Sequence, residues 1–186
     1  DGYYTATVSN ISNGGMSSSM WLKSESATNP ATNDEMIWSM MDVAGASGEH
    51  ILLQFLHTSG GIQLARSDGS VQDLASTTTD FYDGKWHHVA FMSQVGGGNS
   101  FLELYVDGVK VGEDASIGAT GAVASDRLYL FNTLDTPTAA KNFHGTLDEL
   151  YIQEAGAGLP CALTAGAIAK IHAEGRKKLA MGTPVF

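Results

Sequence analysis

The sequence holds a single cysteine, Cys161, four prolines and only ten lysines and arginines among 186 residues. One thiol forms no intrachain disulfide, so burial alone has to hold the fold. No apolar run approaches the ~20 residues of a membrane-spanning helix, and no leader with charged, apolar and small-residue zones is visible. No membrane partner is expected. The chain opens on Asp1 rather than Met, which suggests a processed or excised piece of a longer protein, any leader having gone with the missing part. Cations are outnumbered, with a net charge of -10; residues 1–162 carry 19 acidic against 6 basic side chains. An acidic surface repels phosphate backbones and excludes nucleic acid as the expected partner.

What is present is β chemistry. Hydrophobic residues reach 43% with only 16% charged, and 22 glycines supply turns where proline does not, a composition of a folded β-rich domain and not of a disordered chain. One domain of 186 residues is long enough to bury about 70% of its unfolded surface. Short apolar or alternating runs predict strands over 3–9, 17–23, 35–42, 50–57, 62–67, 86–95, 101–107, 109–113, 127–132 and 145–154, separated by breakers rich in Gly, Asn, Ser and Pro. Ten short strands in one chain predict an all-β, two-sheet antiparallel sandwich.

Two details are specific. Asp107-Gly108 between Val106 and Val109 accepts positive φ at both turn positions and predicts a two-residue hairpin, so that 86–95, 101–107 and 109–113 form a meander. Residues 164–180 predict one short C-terminal helix, with Thr164 as N-cap, Ile168, Ile171 and Leu179 on one side, and Arg176, Lys177 and Lys178 at the end where cations complement the dipole.

The stretch DGKWHHVAF, residues 83–91, invites a metal. On a strand, however, Trp86, His88 and Ala90 share one side and His87, Val89 and Phe91 the other, so adjacent histidines cannot both reach one ion. A hydrogen-bonding role is expected for at least one of them.

DGKWHHVAF, then FLELYVDGVKVG, then FHGTLDELYI followed by LTAGAIAKIHAEG, resembles in order and spacing the LamG-like jelly-roll domains of the concanavalin A-like lectin/glucanase superfamily, and SSSMWLK is similar to that family's early strand. The likeness spans nearly the whole chain. It implies two curved antiparallel sheets packed face to face as a jelly roll, residues 1–186 forming one such domain of a larger protein. Residues 155–162 depart from the pattern as an insertion that moves Cys161 onto a loop. The resemblance further implies a binding module without catalysis, at an extracellular or virion surface, whose partner is a glycan or surface receptor. A structural unit docking neighbouring domains or subunits of a phage fibre, capsid decoration or surface assembly is the alternative.

Glycoside hydrolysis is the chemistry to test against, since the superfamily contains it. Retaining enzymes need two carboxyl groups ~5.5 Å apart. The E-x-D-x-x-E strand of the related glucanases does not occur here, Asp148 and Glu149 alternate faces, and Glu103 and Asp107 stand too far apart along one strand. No enzyme is expected. Calcium takes oxygen ligands from acidic loops, and many LamG-like domains carry one; Asp148, read as pointing inward with Leu150 and Ile152, and Asp34 are the candidate ligands, ahead of Asp42, Asp80 and Asp83. A structural role for Asp148, accepting backbone N–H bonds, stands beside that reading. Sugar binding needs exposed aromatic faces. Trp86 and Trp21 are read as core; Trp38, Tyr105, Tyr129 and Tyr151 remain as the supply, and Trp38, Tyr105 and Tyr129 are the expected ligand-binding aromatics. Asn10-Ile11-Ser12 is a glycosylation sequon.

Overall fold

The computed structural model describes residues 4–7, 14–25, 33–41, 49–70, 72–95, 100–115, 117–118, 127–131, 142–157 and 163–180. Eleven strands run along them: β1 (Tyr4–Thr7), β2 (Gly14–Ser24), β3 (Glu35–Met41), β4 (Glu49–Phe55), β5 (Ile62–Asp68), β6 (Gln72–Ser76), β7 (Trp86–Gln94), β8 (Phe101–Val106), β9 (Val109–Asp114), β10 (Arg127–Leu130) and β11 (Gly145–Ala157). They form a six-stranded sheet in the order β1-β10-β3-β4-β5-β6 and a five-stranded sheet in the order β11-β2-β7-β8-β9. All pairings between these strands are antiparallel. The jelly-roll sandwich is therefore the observed fold. The sequence-expected strands all recur, while β6 was not anticipated: its pattern of exposed Gln72, Leu74 and Ser76 around buried Asp73 and Ala75 is a period-2 signal written with too few apolar residues to stand out.

The core lies between the sheets. Ile37, Trp38 and Met40 of β3, Ile51, Leu53 and Phe55 of β4, and Ile62 and Leu64 of β5 meet Met20 and Leu22 of β2, Val89 and Phe91 of β7, and Leu102, Leu104 and Val106 of β8. Trp38 stacks on Phe91 with ring centroids 5.4 Å apart.

A second, smaller cluster occupies the opposite side of the five-stranded sheet. Ala90, Met92 and Tyr105 project there, and α1 (Ala165–Ala180) lays Ile168, with Leu163 just before it, over them. Thr164 caps this helix as expected: its Oγ1 accepts the Ala167 N–H at 3.2 Å and its carbonyl accepts the Ile168 N–H at 2.9 Å. Lys178 Nζ, in the last turn, donates to Glu149 Oε1 of β11 at 3.0 Å. Trp21 of β2 is buried on this helix side and not between the sheets, with its ring 5.9 Å from that of His172.

At Gly175 the helix lies close against the sheet, since a Cβ built there would sit 2.4 Å from Trp21 Cζ2. Alanine at 175 gains about 1 kcal/mol of helix propensity. The overlap with a rigid, buried indole costs about 1–3 kcal/mol, so Gly175→Ala is expected to lower the urea midpoint. A raised midpoint would show that α1 rides farther from Trp21.

Candidate functional site

The site grows from the β8–β9 turn. Asp107 and Gly108 both adopt positive φ, 52° and 79°, as the two-residue hairpin requires. A side chain at 108 would press on the His172 ring, its Cβ 3.0 Å from Nδ1, so glycine is needed there for two reasons. The turn directs the Asp107 carboxylate onto the start of β7. Oδ1 accepts the His88 backbone N–H at 3.0 Å and Oδ2 accepts from His87 Nδ1 at 2.8 Å. The Asp107 N–H returns a bond to the His88 carbonyl at 2.8 Å.

His87 reaches a second carboxylate with its other nitrogen, Nε2 lying 3.0 Å from Asp83 Oδ1. Both acceptors lack protons, so both ring nitrogens donate and His87 is an imidazolium. Burial works to lower its pKa, yet the bonds to Asp107 and then Asp83 outweigh it and raise it. Asp83 is itself held down to about 2: burial opposes this, and hydrogen bonds from the Lys85 ammonium and backbone, then from His87, prevail. Lys85 Nζ stands 2.5 Å from Asp83 Oδ2.

His88 points the other way and has the opposite state. It is fully buried beneath α1, its ring 5.3 Å from Trp21 and 5.9 Å from His172. Nε2 lies 2.8 Å from Ser19 Oγ, and Nδ1 has no hydrogen-bond partner among the described residues. Burial, then the nearby His172, pushes its pKa down to about 4, so the ring is neutral. The two histidines thus sit on opposite faces as the strand parity predicts. Among the described residues no three His, Cys, Asp or Glu side chains gather as metal ligands.

Beside this network opens a cleft of about 630 Å³, floored by Trp21 and His87 and walled by Lys85, Trp86, Asp107, His172 and Arg176. Trp86 is partly buried and belongs to neither core cluster. It shares the helix side of β7 with His88 and Ala90 but stands at the strand's first residue, at the mouth of the cleft. His172 and Arg176 are four residues apart and so share one face of α1. Nothing in the local sequence places that face against residue 87, although the i, i+4 spacing itself is legible.

The aromatics expected to bind sugar are not at this site. Trp38 is 0% exposed in the inter-sheet core, Tyr105 is 5% exposed under α1, and Tyr129 is 3% exposed on the outer face of the six-stranded sheet opposite Ser39. None offers a ring for stacking, which corrects the expectation; β3 is buried along both faces, so alternation could not reveal where Trp38 points. The Tyr105 hydroxyl donates to Glu103 at 2.7 Å, and burial, then that bond, pushes its pKa up to about 12.

The acidic candidates also have other occupations. Asp34 Oδ1 accepts the His57 N–H at 2.9 Å and lies 2.8 Å from His57 Nδ1, while Oδ2 accepts from Gln54 at 3.3 Å. Oxygens filled by N–H donors do not fit a cation. Asp148 Oδ1 accepts the adjacent Glu149 N–H at 2.8 Å. Asp148 pairs with Trp21, and Leu147 rather than Asp148 packs on the core before a bulge resets the strand to Leu150 and Ile152. The inward placement of Asp148 is thereby corrected: the bulge around Glu149, whose φ is 50°, breaks the alternation on which it rested. Asp34 leads into β3 of one sheet and Asp148 lies in β11 of the other. Cys161, the sequon at Asn10 and Asp42 fall outside the described residues.

The profile of the concanavalin A-like lectin/glucanases superfamily matches residues 1–156. No curated protein matches the sequence. Among solved structures, the chain is similar to the CBM40 of the Ruminococcus gnavus IT-sialidase bound to α2,3 sialyllactose, at 13% identity and TM-score 0.66 over 91% of this chain and 97% of that one. It is similar to a native heptameric SAP-like pentraxin from Limulus polyphemus, at 14% identity and TM-score 0.61 over 91% and 75%. Domain 4 of AbnA, an extracellular arabinanase of Geobacillus stearothermophilus in complex with arabinotriose, matches at 23% identity and TM-score 0.62 over 89% and 68%. These likenesses are of fold.

The histidine states fix a pH dependence. His88 is neutral when folded but takes a proton near its ordinary value of 6.5 when unfolded, so stability falls as pH drops from 6.5 towards about 4, by roughly 3 kcal/mol in all. His87 acts with opposite sign: its contribution is complete below 6.5 and is lost as pH rises through its raised folded value. Urea unfolding of the wild type at pH 7 and pH 5 is expected to show the acid loss, and His88→Gln a flatter dependence. Equal slopes in both proteins would assign the acid sensitivity to other groups.

Proposed function

The chain belongs to the concanavalin A-like lectin/glucanases superfamily, and from that membership we propose that it is a non-catalytic module recognising a carbohydrate or cell-surface ligand through the cleft beside α1. One observation carries this reading. The partly exposed Trp86 lines a concave surface together with Lys85, His172 and Arg176, which carry N–H donors. An apolar ring face stacks on a pyranose, and converging donors hold its hydroxyls.

The same cleft is poorly suited to hydrolysis. General acid catalysis requires a carboxyl group that is protonated near the working pH. Asp83 is held at about 2, and Asp107 is also lowered, burial being outweighed by bonds from His87 and the His88 backbone. Both are acceptors already in use. The likeness to domains solved with sialyllactose and arabinotriose supports a glycan as the ligand class, and the reading includes an extracellular setting as part of a larger protein. No helix of the described residues is long and apolar enough to cross a membrane.

A glycan-array screen of the purified domain, run with calcium and again with a chelator, tests the proposal. Saturable binding is expected in both, because the cleft's donors are nitrogens and require no ion. Trp86→Ala is expected to weaken it about tenfold or more, and the thermal midpoint, which the loss of a mostly buried ring lowers, is measured alongside to confirm that the variant is folded at the assay temperature. Binding that vanishes on chelation, or that ignores Trp86→Ala, would move the site elsewhere.

A further inference from the structure

We propose that the ligand of this cleft is an acidic sugar whose carboxylate is held by Arg176 while its ring lies on Trp86; this rests on the cleft being the glycan site. The ground is a local reversal of charge. The protein carries -10 overall, a balance that repels anions from most of its surface. Inside the cleft the signs differ. The carboxylates there, Asp107 on the wall and Asp83 behind it, are matched by the His87 imidazolium and the Lys85 ammonium at 3.0 Å or closer. Each carboxylate also accepts a backbone N–H, that of His88 or of Lys85.

Arg176 is left over. Its side chain is exposed, lines the cleft, and makes no ion pair among the described residues. A planar guanidinium presents paired donors that match a carboxylate in two parallel bonds. His172, one helical turn earlier, faces the same cavity; burial holds its pKa below the ordinary value, so it offers a neutral ring and adds no repulsion. A neutral sugar would leave the guanidinium in water. A carboxylate-bearing one neutralises the single uncompensated charge and keeps the ring against Trp86.

Two natural carboxylate sources share this chemistry, uronic acids and nonulosonic acids. Calorimetric titration of the intact chain with trigalacturonate and with sialyllactose, against galactotriose and lactose as uncharged counterparts, separates them. At least one acidic ligand is expected to bind about tenfold or more tightly than its neutral counterpart. The advantage should shrink between low and high salt and disappear in Arg176→Glu, an exposed substitution whose fold is checked by its thermal midpoint. Equal binding of acidic and neutral sugars, still sensitive to Trp86→Ala, overturns the acidic class and leaves the binding module intact. An acidic preference that survives Arg176→Glu overturns the assignment of Arg176. Failure of all four ligands, with the domain folded, overturns both the acidic class and the cleft as a glycan site.

Discussion

A sheet that is apolar on both faces needs two covers, and the five-stranded sheet is such a sheet. Val89, Phe91, Leu102, Leu104 and Val106 point to the partner sheet, while Ala90, Met92 and Tyr105 point the other way. The second face is covered by α1, whose position is set by Ile168 over that cluster and by Gly175 pressed on Trp21. Once the helix is there, His88 is sealed beneath it and His172 and Arg176 are carried to the start of β7. The cleft is what remains where the helical cover ends and Trp86 does not.

Within that frame one carboxylate coordinates three elements. Asp107 closes the β8–β9 turn, ties the His88 backbone, and holds the His87 ring, with His172 of the helix 3.9 Å away. Two neighbouring histidines consequently take opposite protonation states. One is charged because two acids flank it, and the other is neutral because the helix excludes water from it. Proximity in sequence says little here, since strand parity assigns each ring to a different medium.

Features governed by a few neighbouring residues were legible in the sequence. The Asp107-Gly108 turn, the Thr164 cap and the opposed faces of His87 and His88 depend on local backbone chemistry, and the structure reproduces them. Whatever depended on what lies across the fold was not legible. Trp86 and Trp38 exchanged their expected places, because burial on a strand is decided by the layer opposite and β3 has no exposed face to give a period. One bulge after Asp148 was enough to invert its orientation. The candidate site itself joins residues near 86, 107 and 174, and only the WHH stretch, the turn and an i, i+4 pair on a helix hinted at its parts.

The strand order also bears on how the chain reaches this state. β3 to β6 and β7 to β9 pair with their immediate successors, so two meanders can close early at small entropic cost. β2 is different: it is held between β7 and β11, whose pairing residues run from 86 to 157. During synthesis one edge of this strand therefore stays open until almost all of the described chain has emerged, and Trp21, which lies against α1, is among the last of its residues to be covered. Vulnerability to misassembly is concentrated in β2, in a window of time rather than in any weakness of the finished fold.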